Sequence, residues 1–539
     1  MLFPFDVADN RFGVMMALGG LWLLFVAGFW LINSEAIKVN FSFFRREGAE
    51  AKWFDWRVVW GSLFAGMLVF AIAYGWMSLT RHNLFNSTGY DLAINEQIVW
   101  NTLNGRFFAS SVEVDNSFAD HFRPMLIFLV PIYAIFQTPK TLLLVQVLVL
   151  ASGAIPLYFL ANLKLQNQKV ALALAAVYLL YPPLGFIARF DFHIEVFVIP
   201  AFIAAFYMME TGRWNWASFF LVIPLLCKEN MGFTALMFGL YAILRWRRWT
   251  WGIVWIAIGI FFTWFTAFWL LPTVRGEEID TLSRYAWLGD GLVGMLQTMV
   301  TDPMRVINHL VKQSNWLYML QLLLPLGLLP LLGFREFLLA VPAFGINLLS
   351  AQECQSTIYC HYAIPVIPII FIAAVFGLLY LQRWVGSEKN LPIFSYGLIV
   401  LTLACYWVSN PFSEVPILPS AFEPIGNAEI VSIALAAVPA DGVLVTTNDY
   451  APHLAQREGL FIIGIPSQRV APTDPDLVFL NLYDQQFIVC DQMREYITQL
   501  DKTAYGTTFR TGGLIVIQRD AGSAEQFLDF VDNWNNCAG

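Results

Sequence analysis

Repeated apolar runs constrain this chain more than any other feature. A helix needs about 20 mainly apolar residues to cross the roughly 30 Å hydrocarbon core of a membrane, and only helices and closed barrels satisfy the backbone there. Apolar runs occupy residues 12–32, 58–79, 140–163, 168–188, 193–210, 214–231, 231–245, 249–273, 315–333, 336–350, 361–381 and 391–410. Although several are short, they predict an α-helical polytopic membrane protein with about twelve transmembrane helices.

Composition agrees with a membrane protein and excludes one class of partner. Of 539 residues, 58% are hydrophobic and 13% are charged, which leaves too little polar surface to cover a soluble protein of this size. The net charge of −8 argues against a nucleic-acid partner, because phosphates attract a basic face.

The Lys and Arg residues predict the orientation, because such residues are retained on the cytoplasmic side. They cluster between apolar runs, at Lys38, Arg45, Arg46, Lys52, Arg57, Lys164, Lys169, Arg213, Arg245, Arg247, Arg248, Arg335, Arg383 and Lys389. If all of these face the cytoplasm, the N-terminus and everything after residue 410 lie outside. The first run is followed, not preceded, by basic residues, which indicates a membrane helix and not a cleaved signal peptide.

One further apolar segment does not fit this alternation. Residues 124–137 are only about fourteen long, read PMLIFLVPIYAIFQ and contain Pro124 and Pro131. A full crossing would also place Lys164 outside. The segment is therefore expected to be a re-entrant or interfacial helix on the outer face.

Polar residues between the apolar runs fall on the predicted outer face. They lie in the loop 90–125, in ARFDFHIEV, in CKEN, in the connection 274–313 and in SAQECQSTIYCHY. Their titratable members include Asp91, Glu96, Asp120, His121, Asp191, His193, Glu195, Lys228, Glu229, Glu353 and His361. A transporter more often places ionisable residues near the membrane midplane of two repeated halves. The pattern favours a cavity at the outer surface, although each residue taken alone is also typical of a solvated loop or a helix cap.

The chain after residue 410 changes character. Strand-like segments lie at 441–448, 459–466, 476–484 and 511–520, separated by helix-like segments. This alternation predicts a small α/β domain with a partly parallel sheet outside the membrane. The expected domains are an N-terminal helix with a basic loop (1–57), a transmembrane domain (58–410) and the extracytoplasmic domain (411–539).

Two cysteine pairs are candidates for disulfides, since the outer compartment permits them. Cys354 and Cys360 are six residues apart in an outer loop, and Cys490 and Cys537 both lie in the C-terminal domain. Neither pair has the spacing to histidines of a structural zinc site.

Several motifs together resemble known membrane-protein families. They are GYDLAINEQIVWNTLNGRFF, DHFRPMLIFLVPIYAIFQTPKTLLLVQ, DFHIEVFVIP, CKENMGFTALMFGLY and HYAIPVIPIIFIAAVFGL. As a set, over roughly residues 55 to 520, they resemble the DUF2079 family of bacterial membrane proteins. The first outer loop and the run after it also resemble the opening of GT-C-fold glycosyltransferases, which use polyprenyl-phosphate-linked sugars. The helix 12–32 precedes the resemblance.

The GT-C resemblance implies chemistry for the outer residues. Asp91 matches the acid of the first outer loop that activates or positions the acceptor as a general base. The supporting or donor-phosphate-binding candidates are Glu96, Asp120, His121, Arg123, His193, Lys228, Glu229 and His361. A divalent cation, Mg²⁺ or Mn²⁺, is the expected cofactor, and no metal ligand set is assigned. The expected partners are a polyprenyl-phosphate-linked sugar, membrane lipid and other membrane proteins.

The resulting hypothesis is a glycosyltransferase of the bacterial inner or plasma membrane. It would move a sugar from a polyprenyl-phosphate donor to a glycan, lipid or protein acceptor on the outer face. The alternative is a non-catalytic scaffold or accessory subunit of a larger membrane complex, and a transporter is third. An enzyme needs an open cavity with a lipid groove at Asp91, whereas a scaffold fills it.

Overall fold

The computed structural model describes residues 6–33, 56–112, 116–276, 280–385, 391–413, 420, 422–424, 428–463, 470–481, 490–501, 503–511 and 513–533. Its α-helices are α1 Asp6–Asn33, α2 Trp56–Asn83, α3 Ile94–Leu103, α4 Val130–Ile135, α5 Pro139–Ser152, α6 Ala154–Leu165, α7 Gln168–Leu179, α8 Pro182–Arg189, α9 Val198–Glu210, α10 Trp214–Leu225, α11 Met231–Trp246, α12 Trp249–Trp264, α13 Leu271–Arg275, α14 Gly291–Thr301, α15 Pro303–Leu310, α16 Gln313–Leu323, α17 Leu329–Leu332, α18 Phe334–Phe337, α19 Val341–Leu348, α20 Ile367–Val385, α21 Leu391–Val408, α22 Ala428–Ala436, α23 Cys490–Gln499 and α24 Ala524–Asn533. The strands are β1 Leu444–Thr446, β2 Leu460–Ile462, β3 Leu477–Asn481, β4 Tyr505–Thr511 and β5 Leu514–Arg519.

Long apolar helices dominate the part of the chain before residue 410. In the described ranges, those long and apolar enough to cross a membrane are Trp56–Asn83, Pro139–Leu165, Trp249–Arg275, Ile367–Trp384 and Leu391–Val408. The helices α7 and α8 add a sixth span if the pair counts as one, although it is bent by 44°. Pro182 and Pro183 explain this bend, because the residue before a proline avoids helical backbone.

The remaining predicted runs are helical but shorter or interrupted. The run 315–333 breaks where Leu323 is followed by Pro325 and by Gly327 with a left-handed backbone. The segment 124–137 forms a 3₁₀-helix, Pro124–Leu129, followed by α4. The helical character of the runs is thus confirmed, while the count of about twelve spans and the re-entrant placement of 124–137 stay predictions.

Two of the long helices pack unusually closely. In α11 and α12, Gly239 faces Gly252 and Gly232 faces Gly259, and a Cβ added at Gly239 would lie 2.6 Å from the Gly252 carbonyl oxygen. Each pair of glycines on one helix is seven residues apart, about two helical turns, so both lie on one face. Small residues let the two backbones approach. Because α11 follows Glu229 and α12 leads towards Arg275, this packing fixes the distance between those two loops.

A five-stranded sheet forms near the C-terminus in the order β2-β1-β3-β5-β4. The pairs β1–β2 and β1–β3 are parallel, whereas β3–β5 and β4–β5 are antiparallel. The predicted small, partly parallel sheet is therefore confirmed. β4 and α24 lie outside the segments predicted from the sequence.

The C-terminal segment packs against the end of α2 and the segment that follows it. The rings of His82 and His453 stack with centroids 4.1 Å apart, and Gln97 Nε2 donates to the Arg457 carbonyl oxygen at 2.9 Å. Ser111 Oγ donates to the Leu460 carbonyl oxygen at 3.0 Å. These contacts hold the C-terminal segment on the end of the helices where the candidate site lies. The predicted domain boundaries and the outer location of this end stay predictions.

Candidate functional site

A cavity of ≈ 690 Å³ opens at the end of the helices where α2, α8 and α10 finish. It is lined by eight of the residues singled out from the sequence: Asp91, Asp120, His121, Arg123, His193, Lys228, Glu229 and His361. Glu195 lies on the same wall. Residues up to 270 positions apart are therefore brought into one cavity, and their individual roles remain proposals.

Asp91 lies in a single π-helical turn, Gly89–Ala93. Such turns are rare in proteins overall, and those that occur are often found at functional sites. Its Oδ1 is 3.1 Å from His193 Nε2, its Oδ2 accepts a hydrogen bond from Thr88 Oγ1 at 3.3 Å, and 27% of its side chain remains exposed. Burial alone would raise the pKa of Asp91, but His193, Thr88 and Arg81 together lower it. Asp91 is therefore a carboxylate at neutral pH with a face open to the cavity.

His193 is held rigidly beside that carboxylate. Its Nδ1 donates to the Asp191 carbonyl oxygen at 2.9 Å, so a hydrogen bond between Nε2 and Asp91 requires either a second proton on the ring, which Nε2 donates, or a proton on the carboxyl, which Nε2 accepts. Burial would lower the pKa of His193, but Asp91 and Glu195 raise it, which favours the imidazolium. Because both ring nitrogens are engaged, His193 orients Asp91 and has no free nitrogen for a substrate.

The ring of His361 stacks on His193 with centroids 3.6 Å apart. Burial lowers the pKa of His361, and the charges of His193 and Lys228 lower it further. His361 is therefore neutral next to a cationic neighbour, so the predicted pairing of its charge with a phosphate is not favoured.

A buried ion pair lies behind Asp91. Arg81, at the end of α2, contacts Asp191, and both side chains are almost fully buried. Asp191 also accepts hydrogen bonds from the backbone N and from Oγ1 of Thr88, each at 2.8 Å. Thr88 is thus fixed directly before the π-helical turn. Sequence reasoning did not identify Arg81, because its partner lies 110 residues away.

Two of the predicted phosphate partners are already neutralised. Lys228 Nζ donates to Glu195 Oε1 at 2.7 Å, and Arg123 Nη2 donates to Asp120 Oδ2 at 3.0 Å. Burial would raise the pKa of Glu195, but Lys228, His193 and His361 hold it well below its usual range. The charges of Lys228 and Arg123 are therefore mainly neutralised by carboxylates of the protein itself.

Glu229 forms hydrogen bonds with the segment that precedes Pro124. Its Oε1 is 3.0 Å from His121 Nδ1, and its Oε2 accepts from the Phe122 backbone N at 3.2 Å. Burial would raise the pKa of Glu229, but His121 and Lys228 lower it to about 2. Burial would also lower the pKa of His121, but Asp120 and Glu229 raise it. Glu229 and His121 therefore join the loop before α11 to the segment before Pro124.

Two arginines that the sequence analysis did not single out also line the cavity. Arg275 ends α13, and Arg284 Nη1 lies 3.5 Å from the Tyr362 hydroxyl oxygen. In the described part of the chain, neither arginine forms an ion pair, and the buried Arg275 Nε has no hydrogen-bond partner. Beside them the wall is apolar and includes Leu292, Met295 and Met299 of α14. Their only sequence signal was their place in the connection 274–313, which resembles a solvated linker.

Glu96, by contrast, lies outside the cavity. Its Oε1 accepts from the Tyr133 hydroxyl at 2.8 Å and from Gln456 Nε2 at 3.1 Å, and the side chain is fully buried. Burial raises the pKa of Glu96 to about 8, although these two hydrogen bonds oppose the shift. Glu96 therefore joins α3 to α4 and to the C-terminal segment. Its expected supporting role at the site stays a prediction, and its position behind the cavity wall does not favour it.

The expected Mg²⁺ or Mn²⁺ stays a prediction. Over the described ranges, no group of three or more His, Cys, Asp or Glu side chains is arranged to hold a metal. The carboxylates of Asp91, Asp120, Glu195 and Glu229 each contact a histidine, lysine or arginine, so they do not form a set of oxygen ligands for a hard cation.

The predicted disulfide between Cys354 and Cys360 is confirmed. It closes the loop from Cys354 to Cys360, directly before His361, and so restricts the backbone that carries the His361 ring. The other candidate pair includes Cys537, which lies outside the described residues.

Comparisons with known proteins identify a family and several solved structures of similar fold. The family described as "Predicted membrane protein (DUF2079)" matches residues 81–516, which confirms the family recognised from the motifs. Crystal structures of ArnT from Cupriavidus metallidurans, bound to undecaprenyl phosphate and in the apo state, align with TM-scores of 0.48 and 0.47 at 12% and 13% identity. They cover 84% and 85% of this chain and 97% and 98% of their own. A search of curated proteins gives no match.

Proposed function

The chain belongs to the DUF2079 family of predicted membrane proteins, and from this premise we propose that it is a membrane glycosyltransferase with a GT-C-like fold. It moves a sugar from a polyprenyl-phosphate donor to a glycan, lipid or protein acceptor. One observation carries the proposal: a single cavity combines the accessible carboxylate of Asp91, the arginines Arg275 and Arg284, and an apolar wall from α14.

This combination matches the chemistry of a lipid-linked sugar phosphate. Guanidinium groups bind phosphate oxygens through several N–H donors. Arg275 Nε has no hydrogen-bond partner among the described residues, and Arg284 makes a long contact of 3.5 Å with the Tyr362 hydroxyl. Leu292, Met295 and Met299 offer the neighbouring surface that a hydrocarbon chain requires. Asp91, whose side chain lines the cavity and is 27% exposed, is available to the acceptor.

In the proposed step, the acceptor oxygen attacks the anomeric carbon of the sugar. A new carbon–oxygen bond forms, the bond from the anomeric carbon to the phosphate oxygen breaks, and polyprenyl phosphate leaves. Asp91 accepts a hydrogen bond from the acceptor hydroxyl, and its negative charge stabilises the proton as it becomes acidic. Because the pKa of Asp91 is lowered, the proton passes on to the leaving phosphate or to solvent.

We further propose that the cavity faces the extracytoplasmic side. Two independent features support this orientation. Lys164 and Arg213 lie at helix ends away from the cavity loops, as the positive-inside rule requires of cytoplasmic residues. The disulfide between Cys354 and Cys360 belongs to an oxidising compartment and stands next to His361 at the cavity.

The open cavity favours an enzyme over a scaffold. A scaffold with this fold has no need to keep ≈ 690 Å³ open beside Asp91. Cavities of a few hundred cubic ångströms are typical of small-molecule sites.

Binding of a lipid phosphate tests the proposal directly. Undecaprenyl phosphate, the lipid bound in one ArnT structure, is the first probe, and polyprenol without phosphate is its control. Native mass spectrometry of the purified chain should detect the phosphate form, with affinity reduced about tenfold or more in Arg275→Ala and Arg284→Ala. Arg106→Ala is the matched control, because Arg106 is a partly exposed arginine that pairs with Glu458. Equal binding of both lipids would contradict the phosphate site.

Transfer is then measured in liposomes with a panel of polyprenyl-phosphate sugars, by release of polyprenyl phosphate. Release with at least one donor, lost in Asp91→Asn, is the expected result. A parent protein that is inert with every donor but co-purifies in fixed ratio with other membrane subunits would instead identify a scaffold.

A further inference from the structure

The C-terminal sheet has the strand order of a ligand-binding sheet. β1 lies between β2 and β3, and both of these neighbours are parallel to it. The chain therefore runs from β1 to one side and returns to the other side, which makes the carboxyl ends of β1 and β3 a topological switch point. Open α/β sheets bind their ligands in the crevice at such a point.

Here, that edge of the sheet holds a segment of the same chain. Asn448 follows β1 by two residues and is 3% exposed, and its Oδ1 accepts a hydrogen bond from the Gly89 backbone N at 2.9 Å. Gly89 also fits closely against β2, because a Cβ on it would lie 2.3 Å from Ile462 Cδ1. Gly89 is the first residue of the π-helical turn that carries Asp91.

The same turn is held from its other side by the helical part of the protein. Thr88 donates from its backbone N and its Oγ1 to Asp191, which in turn contacts Arg81 of α2. The turn is thus fixed at two consecutive residues, Thr88 by the helices and Gly89 by the sheet. The Thr88 hydroxyl also lies 3.3 Å from Asp91 Oδ2, whereas the contact between Gly89 and Asn448 involves neither oxygen of Asp91.

We propose that Asn448 is a positioning residue for Asp91, and that the C-terminal sheet uses its ligand-binding edge to hold the turn that carries this carboxylate. The inference rests on the proposed function, because it assigns the sheet a part in the transferase site. Asn448 acts only through Gly89 and touches no substrate. A misplacement of about 1 Å in a catalytic group typically costs about 10²-fold in rate, so a loosened turn lowers kcat.

The first test uses Asn448→Ala in the full-length protein. Amide hydrogen exchange of residues 86–93 should accelerate about tenfold or more, because the buried Gly89 N–H loses its acceptor. In the transfer assay, kcat should fall about 10²-fold, whereas undecaprenyl phosphate binding should stay within about twofold because Arg275 and Arg284 are unchanged. Asn448→Asp keeps an acceptor oxygen and should restore slow exchange and most of kcat.

The matched control is Asn481→Ala. Asn481 is a buried amide at the end of β3 that donates to the Tyr450 hydroxyl at 2.7 Å. Its truncation should lower the unfolding temperature without accelerating exchange at 86–93. Equal acceleration in both variants would mean general loosening of the sheet and would overturn the positioning role.

A second pair of variants tests the same contact by sterics. Gly89→Ala should displace the turn and lower kcat, because its Cβ meets Ile462 Cδ1. Adding Ile462→Val removes that atom and should recover part of the lost activity, whereas Ile462→Val alone should have little effect. Absence of any recovery, together with unchanged exchange in Asn448→Ala, would sink the inference.

The exchange measurements separate this inference from the proposed function. If the parent protein transfers no sugar, accelerated exchange in Asn448→Ala still supports the holding of the turn, and only the proposed function fails. If Asp91→Asn abolishes transfer but Asn448→Ala matches the parent in exchange and kcat, the proposed function stands and the role of Asn448 is wrong.

Discussion

At the scale of single residues, the site consists of charged side chains that neutralise one another in pairs. Asp91 contacts His193, Glu195 contacts Lys228, Glu229 contacts His121, and Asp120 contacts Arg123. Replacing one member of a buried pair leaves its partner uncompensated. Effects of substitution on activity therefore have to be compared with effects on stability, and Asp91 is the most suitable member because it is the most exposed.

Asp91→Asn should lower the rate of sugar transfer by about 10²–10⁴, the range for loss of a general base or an equivalent charge. The amide keeps the size of the side chain, so insertion and binding of undecaprenyl phosphate should resemble the parent. Transfer in liposomes and thermal unfolding in detergent are the measurements. Glu458→Gln, at a carboxylate whose side chain is 71% exposed, is the control and should leave both unchanged. Full activity in Asp91→Asn would exclude it from the mechanism.

Glu96 should make stability depend on pH in a defined direction. Its pKa is raised to about 8 in the folded protein, so the folded state binds a proton more tightly than the unfolded chain does. The free energy of unfolding should therefore fall as the pH rises from about 4.5 to about 8. Above about pH 8, Glu96 should cause no further change in it. In Glu96→Gln that component should disappear. Parallel curves of unfolding temperature against pH for parent and variant would contradict the assignment.

At the scale of elements, close packing of α11 on α12 sets the separation of Glu229 from Arg275. Gly239→Ala should destabilise the protein by about 1–3 kcal/mol, because its Cβ would meet backbone atoms of Gly252 and Ile256 that cannot rotate away. Gly61→Ala is the control in an open position of α2 and should be neutral or stabilising by up to about 1 kcal/mol. Unfolding temperatures in detergent compare the two. A Gly239→Ala protein as stable as Gly61→Ala would show that the helices separate without cost.

Elements were predictable from the sequence where local pattern determines them. Apolar length predicted the helices, and four segments of the C-terminal region predicted β1, β2, β3 and β5. β4 was missed because its sequence, YGTTFRT, mixes Gly and polar residues and it lies at the edge of the sheet, next to β5. Residue types at the site were predictable from their place between apolar runs. Their partners were not, since the contacts Arg81–Asp191 and Gly89–Asn448 join positions 110 and 359 residues apart.

At the scale of the whole molecule, orientation is the property that decides which compartment supplies the substrates. Cysteines at Arg213 and at Glu525, both exposed positions, should respond differently to a membrane-impermeant thiol reagent in intact cells. The positive-inside rule predicts labelling at position 525 only. Cys490 and Cys537 would first be replaced by Ser, and permeabilised cells should label at both positions. Labelling at 213 alone in intact cells would reverse the proposed orientation.

The hydrogen bond between Gly89 and Asn448 also has a consequence for biosynthesis. The two residues are 359 positions apart, which corresponds to roughly 20 to 70 s of translation at 5–20 residues per second. During that interval the loop that contains Gly89 has been synthesised, whereas the strands of the C-terminal sheet that hold it have not. A nascent chain therefore carries Asp91 before Asn448 can hold its turn, and under the proposed function the transfer site should form only after the C-terminal sheet has been synthesised and folded.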